Sequence, residues 1–167
     1  MCLATVSKVH RPMLRKKVKA WKILQRVSIP IIGEDKEEIP YHYLSPFRNF
    51  SFREGVQVTR ELDQSGWTER FISADDGYQY PNGFHAYKTQ KDAKVALKKL
   101  WQNTLSSKYK TCKVYPVMLE NILAEGTDGT AYYLTKFKNI IAQKLTLLPV
   151  HRPSVKRSRR VKVNQSK

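Results

Sequence analysis

Cysteine is nearly missing from this chain: Cys2 and Cys112 are the only two in 167 residues. They form no CxxC pair, which excludes a disulfide framework and points to a reducing compartment. No apolar run approaches the roughly 18 residues of a membrane-spanning helix. The basic residues near the start are not followed by the apolar stretch of a secretory signal. These absences predict a soluble, cytoplasmic protein. Only seven glycines occur, and none builds a phosphate-cradling loop. Histidines at 10, 42, 85 and 151 and two distant cysteines have no zinc spacing, so neither metal nor cofactor is expected. Carboxylates are scarce too, at 14 against 31 lysines and arginines, a net charge of +17.

What the chain does have is 41% hydrophobic residues, enough to bury the core of one domain. Its charge is unevenly placed. Residues 1 to 26 hold eight basic and no acidic side chains, and residues 151 to 167 hold seven and none. Residues 27 to 80 hold five basic and ten acidic side chains, and residues 81 to 113 eight basic and one acidic. This division predicts a basic N-terminal arm over 1–17, a single domain over 18–150 with one acidic and one basic face, and a basic C-terminal tail over 151–167.

The expected fold class is α+β, a small and mainly antiparallel β-sheet with one principal amphipathic helix. Val18 to Val27 reads as a strand, with Ala20, Lys22 and Leu24 on one face and Lys19, Trp21 and Ile23 on the other. Ser45-Pro46 among aromatics marks a packed corner, and Val56 to Thr59 a short strand. Phe71-Ile72 is a further strand candidate. The strand Gly83 to Tyr87 leads to a helix over 89–105. Thr89 is its N-cap and Asp92 completes a capping-box-like pair. Ala93, Ala96, Leu97, Leu100, Trp101 and Thr104 make its packed face, and Lys91, Lys94 and Lys98 its solvent face. Pro116 marks Val114 to Leu119 as an edge or bulged strand. A turn at Gly126 to Gly129 would join Ile122–Glu125 to Thr130–Phe137, and Asn139 to Leu148 is the last strand.

The strand Ala20-Trp21-Lys22-Ile23-Leu24, the corner Ser45-Pro46-Phe47 and the segment Gly83-Phe84-His85-Ala86-Tyr87 with Asp92-Ala93 beyond it form a recognisable set. Together with a closing hairpin and a Met-Cys start, it resembles a group of small, largely uncharacterised bacterial and bacteriophage proteins. The resemblance covers about residues 18 to 148. It implies a compact α+β fold in a phage-like setting and supplies no mechanism.

Dense cations grip phosphate and release condensed counterions, so the basic segments are the leading functional candidates. They comprise Arg11, Arg15, Lys16, Lys17 and Lys19, then Lys91, Lys94, Lys98, Lys108 and Lys110, then Arg152, Lys156, Arg157, Arg159, Arg160 and Lys162. Tyr41, Tyr43, Tyr78, Tyr80 and Tyr87 are candidates for stacking on unpaired bases. His85 and Tyr87, on one face at the strand-to-helix junction, are a possible ligand site. The expected function is that of a phage-type accessory protein, without enzymatic activity, that binds nucleic acid or a nucleoprotein complex electrostatically. Two alternatives stand beside it. One is a host-interaction or inhibitor protein acting through the acidic segment 34–38 and Asp75-Asp76. The other is a small enzyme using His85 or an N-terminal Cys2.

Overall fold

The protein is described here by a computed structural model, whose described residues are 3–28, 41–46, 50–60, 71–74, 77–103, 107–128 and 136–150. In chain order the strands are β1 (Thr5–Ser28), β2 (Tyr41–Leu44), β3 (Ser51–Phe52), β4 (Gln57–Thr59), β5 (Phe71–Ser73), β6 (Gln79–Pro81) and β7 (Phe84–Tyr87). Helix α1 (Gln90–Asn103) and a 3-10 turn (Ser107–Thr111) follow, then β8 (Cys112–Asp128) and β9 (Phe137–Leu147). All strand pairs among the described residues are antiparallel, in keeping with the expected α+β class.

The main sheet closes on itself. β1 pairs β8, β8 pairs β9, β9 pairs β7, and β7 returns to β1 through Trp21 and Tyr87. Alternation then divides the side chains into an enclosed set and an outer set. Ala20, Leu24, Phe84, Ala86, Val117, Leu119, Ile140 and Ala142 are enclosed with Tyr43 and Phe52 from the β2–β3 hairpin. On the outer face Ile23, Tyr87, Cys112 and Phe137 pack under Ala93, Ala96 and Leu97 of α1. A third cluster gathers Leu3, Ala74, Tyr80, Leu123, Ala124 and Ile141. Both faces of β1 are therefore covered, which is why its apolar pattern is not a clean alternation.

The N-terminal segment differs from the expected arm. β1 begins at Thr5 and follows β8 along nearly its whole length, from Thr5 opposite Thr127 to Gln25 opposite Cys112. Leu3 is 1% exposed, and its amide donates to the Tyr80 hydroxyl at 2.8 Å. Register shifts between Val6 and Lys8, and between Val9 and Lys17, break the period-two signature while leaving Val6 and Val9 against the third cluster.

Three further expectations need revision. β8 runs unbroken where two strands and a turn were expected, and Gly126 to Asp128 are strand residues. Asn121 carries φ 57° beside a bulge, so one strand bends where two were anticipated. β8 is an edge only at its start, where Cys112 to Pro116 are flanked by β1 alone, and it is paired on both sides from Val117 onward. Pro116 lies one residue beyond the last β9 rung, Val117 opposite Leu147, and its carbonyl accepts the Leu148 amide at 3.1 Å. Its missing N–H therefore costs only a terminal hydrogen bond. Finally, Trp101 is 44% exposed instead of packed.

Helix α1 starts as the capping pattern predicts. The Asp92 amide donates to Thr89 Oγ1 at 3.0 Å, and Asp92 places a carboxylate in the first turn. Thr104, the acidic segment 34–38, Asp75-Asp76, Cys2 and residues 151–167 lie outside the described residues. No helix among the described residues is long and apolar enough to cross a membrane.

Candidate nucleic-acid interface

Antiparallel pairing brings distant basic segments onto connected elements. Arg15, Lys16, Lys17 and Lys19 are exposed on β1, and Lys91, Lys94 and Lys98 are exposed on α1. Lys110 is exposed on the 3-10 turn, which also contains Lys108. Arg11 lies within β1, and the side chains of Arg11 and Lys108 are outside the described set. Arg152, Lys156, Arg157, Arg159, Arg160 and Lys162 are likewise outside it. α1 packs against both β1 and the 3-10 turn, and Trp21, Leu100 and Tyr109 from these three elements pack against one apolar cluster, which forms a shared seam. Lys19 Nζ sits 5.5 Å from the centre of the Trp21 ring, at the edge of that seam.

The seam is notable for the carboxylates it lacks. Residues 1–26 contain none, and residues 93–119 contain none while carrying six lysines. The first carboxylate met along β8 is Glu120, which pairs with Lys17 at 3.0 Å and accepts from Gln57 at 3.2 Å. That ion pair limits what Lys17 can offer a ligand. Lys94, Lys98 and Lys110 have no ion-pair partner among the described residues, and residues 93–119 carry no acid, so their field is additive.

Trp101 stands at the end of this lysine stripe. At 100° per residue it follows Lys94 and Lys98 around the helix instead of joining Ala93 and Leu100 beneath it. Its indole Nε1 donates to the Tyr109 carbonyl, so the 3-10 turn folds back against the edge of the ring. The tyrosines expected to stack behave differently. Tyr43, Tyr80 and Tyr87 are buried, and Tyr41 is half-buried with the Arg26 guanidinium 3.3 Å from its ring centre. Among those five only Tyr78 is exposed.

The junction residues are buried in the layer between sheet and covering elements. His85 is 9% exposed, edge-on to Tyr80 at 5.9 Å, and its carbonyl accepts from Lys22 Nζ at 2.7 Å. Tyr87 packs edge-on to Phe137 at 6.1 Å, and burial pushes its phenol well above the usual range, reinforced by the charge of and hydrogen bond to Asp128. Asp128 itself is raised by burial, against hydrogen bonds from Asn139 and Tyr87. Asp128 and Asn139 join the junction only because β8 and β9 pair beside β7, a proximity no local motif announces.

A second polar group escaped sequence reasoning for the same reason. Glu125 Oε2 meets Lys88 Nζ at 3.0 Å, and its Oε1 lies 3.4 Å from Nε2 of the buried His10. Burial pushes the Glu125 carboxyl up, but the hydrogen bond and charge of Lys88, assisted by His10, outweigh this and hold it below its ordinary value. The group links the first part of β1, through β8, to the connection between β7 and α1. Among the described residues no three His, Cys, Asp or Glu side chains are placed to hold a metal ion.

No protein-family model, no curated protein and no solved structure matches the chain.

Proposed function

We propose that this protein binds nucleic acid, by itself or within a nucleoprotein complex, through the basic surface shared by β1, α1 and the 3-10 turn. The observation that carries this reading is the packing together of two chain segments without a single carboxylate, residues 1–26 and 93–119. Apart from Lys17, which pairs with Glu120, the exposed lysines named on this surface have no ion-pair partner among the described residues, and each phosphate contact releases condensed counterions. The affinity is then electrostatic and tolerant of sequence. The seven basic residues of 151–167 add to the same charge. A role as an accessory protein in a phage-like setting agrees with the resemblance seen in Gly83 to Ala93.

The test is a titration with labelled oligonucleotides at several salt concentrations. Binding is expected at low salt, with log K falling linearly against log salt by about 0.9 per phosphate on duplex DNA and about 0.7 on single strands. Absence of binding at low salt, or affinity indifferent to salt, overturns the proposal.

A further inference from the structure

We infer that Trp101 is a stacking platform for unpaired bases, so that the preferred ligand is a single-stranded nucleic acid. The inference rests on the nucleic-acid reading above and narrows its substrate class. An aromatic side chain at the end of an amphipathic helix ordinarily turns inward, because a large ring left in water forgoes substantial apolar burial. Trp101 keeps 44% of its surface exposed while Ala93, Ala96 and Leu97 of the same helix are buried.

The ring is also held in place. Its Nε1 donates to the Tyr109 carbonyl, which satisfies the polar edge and fixes the indole between α1 and the 3-10 turn. A ring already oriented loses little conformational entropy when a base stacks on it. Its surroundings suit a polyanion. Lys94 and Lys98 continue the same stripe of α1, Lys110 adjoins the residue that accepts the indole hydrogen bond, and all three are exposed. Residues 93–119 contribute no carboxylate to repel phosphate.

An exposed, oriented aromatic ring bordered by lysines is the arrangement that binds single strands. Cations follow the backbone, while the ring takes a base whose face is open. Duplex bases are already stacked on one another and present only their edges, so the ring adds nothing on a duplex. The surface therefore discriminates single strands from duplex by one aromatic contact.

The test compares the full-length protein with Trp101→Ala and Trp101→Tyr, using an oligothymidylate single strand and a duplex of equal length at one salt concentration. Circular dichroism first establishes that each variant is folded. Trp101→Ala is expected to weaken single-strand binding by roughly tenfold or more, the scale of one base–aromatic stack. Trp101→Tyr should retain most of the affinity, and duplex binding should be unchanged in both. Equal losses on both ligands, or no loss on either, overturn the stacking role. Failure of the wild type to bind any oligonucleotide at low salt is a different result, because it removes the electrostatic reading itself.

Discussion

Gly126 lies directly beneath Thr5: a Cβ built on Gly126 would fall 2.1 Å from the Thr5 carbonyl oxygen and 2.8 Å from Leu3 Cδ1. Backbone cannot yield as a flexible side chain does, so Gly126→Ala must push the first residues of β1 away from β8. A loss of about 3 kcal/mol is expected from such overpacking, measured by urea unfolding. If the N-terminal residues were instead a free arm, the substitution would be nearly neutral.

The Lys88–Glu125–His10 group gives a pH-dependent signature. Glu125 is held below its ordinary value of 4.5, so its contribution is fully present above that pH and is lost as pH falls through the lowered folded-state value. Glu125→Gln should cost about 0.5 to 1 kcal/mol near neutrality, the scale of a partly exposed ion pair. Thermal unfolding of variant and wild type should converge below pH 4.5. A deficit independent of pH would contradict the ion-pair origin.

Asp128 carries the opposite sign. Burial raises its carboxyl above 3.8, so its ionised form opposes folding at neutral pH, and the penalty disappears as the group protonates on acidification. Asp128→Asn keeps an acceptor for Tyr87 and removes the charge. The variant is expected to be at least as stable as wild type at pH 7, with any advantage shrinking as pH approaches 3.8. Unfolding midpoints across that range decide it, and a variant that loses most at neutral pH would refute the assignment.

Thr89 caps α1 through the Asp92 amide at 3.0 Å. Thr89→Ala should destabilise the protein by about 1 kcal/mol, and Thr89→Ser should restore most of that. Equal stability of the two variants in chemical unfolding would mean that the cap contributes nothing.

How far the fold could be read in advance depended on whether a residue's environment is set locally. The cap at Thr89, the inward set Ala93, Ala96 and Leu97, and the opposed faces of Ala20 and Trp21 follow from helical and strand periods, and they were legible. The first part of β1 was not, because register shifts place Val6 and Val9 on one cluster at a spacing of three, which no period-two template matches. Gly126 looked like a turn glycine because it adjoins Thr127-Asp128-Gly129. Its actual constraint is the Thr5 backbone more than 120 residues away. At the site, the lysines and the helical phase that sets Trp101 beside Lys94 and Lys98 are legible in the sequence, whereas the anchoring of the indole depends on the return of the 3-10 turn to its edge. Glu125 with His10, and Asp128 with Tyr87, depend on strand pairing alone.

The nucleic-acid reading also separates the folded surface from the basic segment 151–167. Deleting residues 151–167 should weaken binding but leave a salt-dependent affinity, since α1 and β1 keep their exposed lysines. Loss of all affinity on that deletion would place the whole interaction in the C-terminal segment.

The most direct measurement is the salt dependence of single-strand binding by a variant with Lys91, Lys94 and Lys98 all changed to Glu. These lysines are exposed on α1, so the fold should persist and circular dichroism should match wild type. If all three meet phosphates, the slope of log K against log salt should become less negative by about 2, at about 0.7 per phosphate on a single strand. Affinity at low salt should fall at least roughly tenfold. An unchanged slope together with unchanged affinity would contradict a binding surface on the folded domain.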